Sequence, residues 1–136
     1  MRYLAIVFAV VGAAACSDSS PTMPTPTNIA GNWSGTFETQ NQGTHPFQMA
    51  VTQADQAVNG SWSTDNGWEG NLSGTIAQSS ISGSMSITIP TLTGACTGEA
   101  ALSGTVFTDT VNWSLGPFSG NCGSYPESVQ IAAQRR

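Results

Sequence analysis

The strongest constraint on the fold is an alternation of apolar or small residues with polar residues, which occurs eight times between residues 29 and 136. A period of two is typical of a β-strand with one buried and one solvated face, and no helical period appears in this region. The predicted strands, A to H, have the inward faces Gly31/Trp33/Gly35/Phe37, Phe47/Met49/Val51, Val58/Gly60/Trp62, Trp68/Gly70/Leu72/Gly74/Ile76, Ile81/Gly83/Met85/Ile87/Ile89, Gly98/Ala100/Leu102/Gly104/Val106, Val111/Trp113/Leu115 and Val129/Ile131/Ala133.

The segments between these strands predict their connectivity. Short turns join B to C, D to E and F to G, while longer segments join A to B (ETQNQGTH), C to D, E to F (PTLTGA) and G to H (GPFSGNCGSYP). Sequential strands of this kind predict an all-β fold, an eight-stranded antiparallel up-and-down meander. Closure into a barrel removes the exposed strand edges. We expect the four longer loops to lie together at one barrel end.

Inward glycines are predicted to make room for bulky neighbours across the strand and to let the strands coil tightly. The expected cross-strand pairs are Val106–Val111, Gly104–Trp113, Phe37–Phe47, Gly35–Met49, Gly60–Val51, Ile76–Ile81 and Gly74–Gly83. In the last pair two side chains are missing, and we expect the indole of Trp33 to fill the gap.

The first sixteen residues, MRYLAIVFAVVGAAAC, place one arginine before an apolar run and small residues ending in Cys16. This pattern predicts a secretory signal, too short to span a bilayer. The ending AAAC resembles the bacterial lipoprotein signal, which implies a signal peptide at 1–15 and acylation of Cys16, with the membrane as partner through the lipid. The alternative is an ordinary signal peptide before a chance cysteine.

Residues 16–28 follow the signal, and their Ser, Thr and Pro composition predicts a disordered tether. An extended tether of this length lifts a folded domain at 29–136 roughly 30 Å from the membrane. The expected location is the bacterial cell envelope. By resemblance to enterobacterial sorting, the absence of Asp directly after Cys16 favours the outer membrane over the inner one.

The chain has three cysteines. If Cys16 takes lipid, Cys96 and Cys122 remain as one pair in an oxidising compartment, which predicts a disulfide. The F–G hairpin register supports this pairing, because one bulged residue near Gly116 and Pro117 brings Cys122 opposite Cys96.

The motif Gly31-Asn32-Trp33 opens the first strand, and Arg135 and Arg136 follow the last one. This arrangement resembles the calycin group of lipocalins, avidins and related barrels. The resemblance implies that Trp33, next to Gly31, closes one barrel end and that a late arginine packs over it, as a cation–π contact of about 1 to 2 kcal/mol.

Composition argues against several functions. Charged residues make up 8 % of the chain, there is no lysine, and the net charge is -5, so nucleic acid is not an expected partner. His45 is the only histidine and is expected to be a surface residue without a carboxylate partner. We find no convergent metal ligands, no acid/base pair and no nucleophile motif. We therefore expect no metal, no cofactor and no enzymatic activity.

Two functions remain. In the first, the barrel binds a small apolar or aromatic ligand in an uncharged pocket; the expected lining is Phe37, Phe47, Trp62, Trp68, Ile87, Ile89 and Leu115. These residues could instead fill one another, as in other small barrels. The second function is a protein-interaction or inhibitor module, similar in size and architecture to barrel lipoproteins that inhibit proteases or lysozyme. Its loop contacts would be Phe118, Tyr125 and Trp68, on an envelope protein.

Overall fold

A computed structural model describes residues 25–123 and 125–136, and these residues form an all-β structure. The predicted signal, Cys16 and most of the tether lie outside the described residues. The strands are β1 (Gly31–Thr39), β2 (Gly43–Ala54), β3 (Ala57–Thr64), β4 (Glu69–Ala77), β5 (Ser80–Thr91), β6 (Gly94–Val106), β7 (Thr110–Leu115), β8 (Ser119–Gly120) and β9 (Val129–Arg135).

The strands close into an antiparallel barrel in meander order. Each strand from β1 to β6 pairs with the next, and β9 joins β7 to β1, so no long edge is left open among the described strands. The two-residue β8 pairs with β6 beyond the end of β7 and extends that side of the sheet. The predicted eight-stranded meander barrel is therefore confirmed.

Most predicted registers are present. Val106 pairs with Val111 and Ile76 with Ile81, and the related glycine pairs follow from them. The predicted register between β1 and β2 is wrong by two residues, because Phe37 lies opposite His45 and not opposite Phe47. The strands continue to Thr39 and Gly43, so the expected long A–B loop is a turn of three residues, 40–42.

Glycine is required where neighbouring strand backbones approach closely. A Cβ atom on Gly83 would collide with the carbonyl oxygen of Ser73 and with the Cα atom of Gly74. The expected gap between the two glycines is therefore closed by the backbone, and the indole of Trp33 is not needed to fill it. A Cβ atom on Gly35 would likewise collide with the carbonyl of Ala132 in β9. Such contacts allow the strong coiling of a small barrel.

The two barrel ends differ. At one end, which we call the Trp33 end, β1 begins, β9 finishes and three short hairpins turn. The other end, the loop end, carries the β1–β2 turn, the β3–β4 loop, the β5–β6 turn and the segment 116–128. Two of its four connections, β1–β2 and β5–β6, are tight turns and not the expected longer loops. The reason is that β1 and β2 pair as far as Thr39 and Gly43, and β5 and β6 as far as Thr91 and Gly94.

The core lies inside the barrel and is built from the predicted inward faces. The bulky members of these faces are buried, whereas their outward neighbours are mostly exposed Ser, Thr, Asn and Gln. Ile29 and Phe118, which lie outside the strands, add to the core from the two ends. Within the described part of the chain, no helix has the length and apolar character that a membrane crossing requires.

Candidate functional site

The seven side chains predicted to line a ligand pocket lie together in the half of the barrel nearer the loop end. Each of them is at most 8 % exposed. The rings of Phe37 and Trp62 stack with centroids 5.2 Å apart, and Trp68 meets Phe37 edge to face at 5.9 Å. Phe47 contacts both Phe37 and Trp62. The aromatic residues therefore pack on one another.

The indole nitrogen of Trp62, a polar atom in this cluster, already has a hydrogen-bond partner. Trp62 Nε1 donates a hydrogen bond to the carbonyl oxygen of Ser86 at 3.0 Å. A Cβ atom on Gly70 would collide with this same carbonyl, so the sheet closes tightly beside the indole. The donor that could have oriented a guest is thus used within the barrel.

Three concavities lie on the outer wall. Their volumes are about 500, 590 and 310 Å³, and outward-pointing Ser, Thr, Asn and Gln residues supply much of their lining. They are hollows of the strongly coiled sheet and are open to solvent. Trp62 lines the first and Phe47 the second, whereas the other five predicted pocket residues line none of the three.

The loop end is held by a disulfide between Cys96 and Cys122, as predicted. Their Cα atoms are 5.1 Å apart. The register between β6 and its neighbour shifts by one residue between Leu115 and Ser119, which is the expected bulge. Beside this bridge, Tyr125 packs edge to face on Trp68 at 5.8 Å. Burial raises the pKa of the Tyr125 phenol above its ordinary value of 10.0.

His45 has a carboxylate partner, contrary to expectation. Its Nδ1 lies 3.1 Å from Asp65 Oδ1, and its Nε2 donates to the carbonyl oxygen of Gln42 at 2.9 Å. The ring also lies 6.1 Å from that of Trp68. The pair ties the β3–β4 loop to β2. The sequence gives no local signal for this pair, because the two residues are 20 positions apart.

The aromatic contacts expected at the loop end are not exposed. Phe118 is fully buried, Trp68 is 6 % exposed, and Tyr125 is half-buried. Among the described residues of this end, the large hydrophobic side chain that is exposed is that of Leu92, which is fully exposed in the β5–β6 turn. The sequence signal for this exposure is a leucine that lies between two threonines and after the end of the predicted strand E.

Charge is divided between the two ends. Glu38, Asp65, Glu69 and Glu127 are exposed at or near the loop end. Both described arginines lie at the Trp33 end, with Asp55 and Asp109 in the hairpins there. The loop end therefore carries a negative charge that no described lysine or arginine of that end offsets.

The Trp33 end is closed by the predicted pair of residues. The Arg135 guanidinium carbon lies 4.7 Å from the Trp33 ring centroid. Arg135 also donates to the carbonyl oxygens of Ala30, Asn28 and Thr108 at 2.6, 2.8 and 3.0 Å. Gly31 has a φ of +131°, and a Cβ atom there would lie 3.0 Å from Arg135 Nη1. Arg136 is exposed, and its backbone nitrogen donates to Asn32.

Metal ligation has no site among the described residues, because no three His, Cys, Asp or Glu side chains come together there. No family model, curated protein or solved structure matched the chain. The strand topology itself gives an eight-stranded barrel that is compatible with a calycin-like fold.

Proposed function

We propose that this chain is a lipid-anchored protein of the bacterial cell envelope whose barrel binds another envelope protein through the loop end. The packing of the seven core residues on one another carries this proposal. Because Phe37 and Trp62 stack at 5.2 Å where a guest would have to sit, the outside of the barrel is the surface left for binding. The proposal assigns no catalytic step and no cofactor.

The direction of the barrel supports the loop end as the binding surface. The described chain enters at the Trp33 end, where the Thr27 nitrogen donates to the carbonyl of Gln78 and the Ile29 nitrogen to Gln53 Oε1. A tether from an acylated Cys16 would therefore place the Trp33 end toward the membrane. The loop end would then point into the aqueous space, where protein partners are found.

The calycin resemblance is consistent with this function. The contact of Arg135 with Trp33 and the first-to-last strand pairing fit the arrangement that the resemblance implies. Barrel lipoproteins that inhibit proteases or lysozyme share the size and architecture. A binding module of this type needs a closed barrel and an end that faces the solvent, and the proposed orientation provides both.

Photo-crosslinking in the source bacterium tests the proposal. Benzoylphenylalanine is placed in the full chain at Asn41 of the β1–β2 turn or Asn66 of the β3–β4 loop, with Thr108 of the β6–β7 hairpin as the matched control at the Trp33 end. We expect a discrete protein adduct from at least one loop-end position and not from Thr108. Adducts from Thr108 alone, or from no position, would contradict binding through the loop end.

A further inference from the structure

The β5–β6 hairpin continues past its pairing with β4 on one side and with β8 on the other. The last residue of β5 that pairs with β4 is Thr88, whereas β5 continues to Thr91. On the other side, β8 pairs with β6 no further than Gly98. All residues of the segment 90–95, which we call the finger, are exposed. At about 3.3 Å per residue, Leu92 stands roughly 13 Å beyond Thr88.

The base of the finger is rigidly held. Ile89 is buried in the core, and Cys96, directly after the finger, is bonded to Cys122. The Thr97 nitrogen donates to Asn121 Oδ1, and the Asn121 nitrogen donates to the carbonyl of Thr97. A short finger with such a base loses little conformational entropy on binding, which favours affinity.

The apex of the finger is apolar in otherwise polar surroundings. Leu92 is the most exposed large hydrophobic residue described, and Thr91 and Thr93 flank it. Single exposed leucines are common on protein surfaces, so exposure alone decides nothing. The position on a braced projection is the additional feature, because it allows one side chain to enter a pocket that a flat surface could not reach. Desolvation of one leucine is worth on the order of tenfold in an association constant.

The charge of the loop end favours one class of binding partner for the finger. Four exposed carboxylates at or near the loop end, those of Glu38, Asp65, Glu69 and Glu127, give this end a negative field. A second copy of the same end would be repelled, as would an anionic lipid surface. A cationic protein surface would be attracted over about 8 to 10 Å of screened solvent.

We infer that the finger is the insertion element of the interface, with Leu92 entering an apolar pocket on a cationic protein while the carboxylates of the loop end face basic residues of that protein. The inference rests on the proposed function, because it names the partner class and the contact residues for the same end of the barrel. Leu92 supplies the desolvated anchor, and the carboxylates supply the rate and the salt dependence of association.

The first arm of the test uses the full chain in the source bacterium with benzoylphenylalanine at Thr93, next to an intact Leu92. We expect an adduct with a protein of basic isoelectric point. Adducts from Asn41 or Asn66 without one from Thr93, or an adduct with an acidic protein, would overturn the inference and leave the proposed function intact. The absence of adducts from every loop-end position would contradict both the inference and the proposed function.

The second arm measures the affinity of the captured protein, once purified, for the soluble barrel. Leu92→Ala should weaken binding about tenfold, whereas Phe107→Ala, which truncates a 53 % exposed residue in the β6–β7 hairpin, should leave it unchanged. Equal effects of the two variants would contradict the assignment of Leu92.

Paired charge variants and a lipid control complete the test. Glu69→Gln with Glu127→Gln should weaken binding severalfold and flatten its salt dependence, while Asp55→Asn with Asp109→Asn, which removes the same charge at the Trp33 end, should do neither. Leu92-dependent sedimentation of the barrel with phosphatidylethanolamine–phosphatidylglycerol vesicles would overturn the choice of a protein partner in favour of a membrane.

Discussion

Arg135, the last residue of the last strand, lies with its guanidinium carbon 4.7 Å from the ring centroid of Trp33 in the first strand. The same side chain donates to the carbonyl oxygens of Ala30, Asn28 and Thr108. It therefore joins the entering chain, β9 and the β6–β7 hairpin above the indole that closes this end. This contact lies at the end of the barrel where the first and last strands pair with each other.

Removal of this contact should destabilise the barrel more than removal of the neighbouring arginine. Arg135→Ala loses the cation–π contact and leaves the partly buried carbonyl of Ala30 without its donor, so we expect the free energy of unfolding to fall by about 2 to 3 kcal/mol. Arg136→Ala keeps the backbone bond to Asn32 and should cost less than about 0.5 kcal/mol. Urea unfolding of the soluble domain gives both values; equal costs would contradict the role of Arg135.

The two fully enclosed indoles should respond differently to substitution by phenylalanine. Trp33 Nε1 donates to the carbonyl of Ile29 at 2.9 Å, whereas the buried Nε1 of Trp113 has no hydrogen-bond partner among the described residues. Trp33→Phe leaves a buried carbonyl unsatisfied, while Trp113→Phe removes an unpaired donor. We expect the first to cost about 1 to 3 kcal/mol more in urea unfolding. A larger cost for Trp113→Phe would show that cavity formation outweighs the hydrogen bond.

Loss of the Cys96–Cys122 bridge should weaken the whole fold. The bridge spans 26 residues, and the chain-entropy relation gives about 3.5 kcal/mol for a loop of that size. The midpoint of urea unfolding should therefore drop on reduction and in the double variant Cys96→Ala/Cys122→Ala. Thiol titration of the untreated soluble domain should find neither cysteine reactive. Two reactive thiols without reductant would show that the bridge does not form in solution.

Tyr125 provides a single-site probe of the loop end. The chain has two tyrosines, Tyr3 and Tyr125, so only Tyr125 remains after the predicted signal is removed. Because burial raises its pKa above 10.0 in the folded state, the folded protein holds its proton at a pH where the unfolded chain releases it. Stability from this group is complete below pH 10 and should decrease as pH rises from there through the folded pKa.

Phenolate absorbance follows this titration directly. The folded soluble domain should titrate above its own urea-unfolded form, and Trp68→Ala, which removes the ring packed at 5.8 Å on Tyr125, should reduce the difference. Identical curves for the folded and unfolded chains would show that Tyr125 is not desolvated at the loop end.

Much of the fold follows from local patterns. The F–G and D–E turns fix the pairs Val106–Val111 and Ile76–Ile81, because short hairpins leave little freedom of register. The same counting with one bulge predicted the disulfide. Parity predicted the buried cluster, since alternate residues of a strand share a face.

The errors lie where polar residues occupy strand positions. Thr39 is buried and His45 half-buried, yet neither contributes to a hydrophobic alternation. The alternation therefore predicts a loop at the ends of β1 and β2, and a register that differs by two residues from the observed one. The contact of His45 with Asp65 is tertiary and has no local signal. Whether the inward aromatics enclose a pocket or fill it depends on ring distances, which a pattern does not contain.

Tryptophan emission tests directly whether the packed aromatic residues leave room for a ligand inside the barrel. The soluble domain is titrated with a panel of small apolar and aromatic ligands, in wild type and in the single variants Trp62→Phe, Trp68→Phe and Trp33→Phe. Because Phe37 and Trp62 are stacked at 5.2 Å and the whole cluster is buried, we predict no saturable change with any ligand. A saturable change that disappears in Trp62→Phe and Trp68→Phe but persists in Trp33→Phe would contradict this account, because it would place a ligand pocket inside the barrel near the loop end.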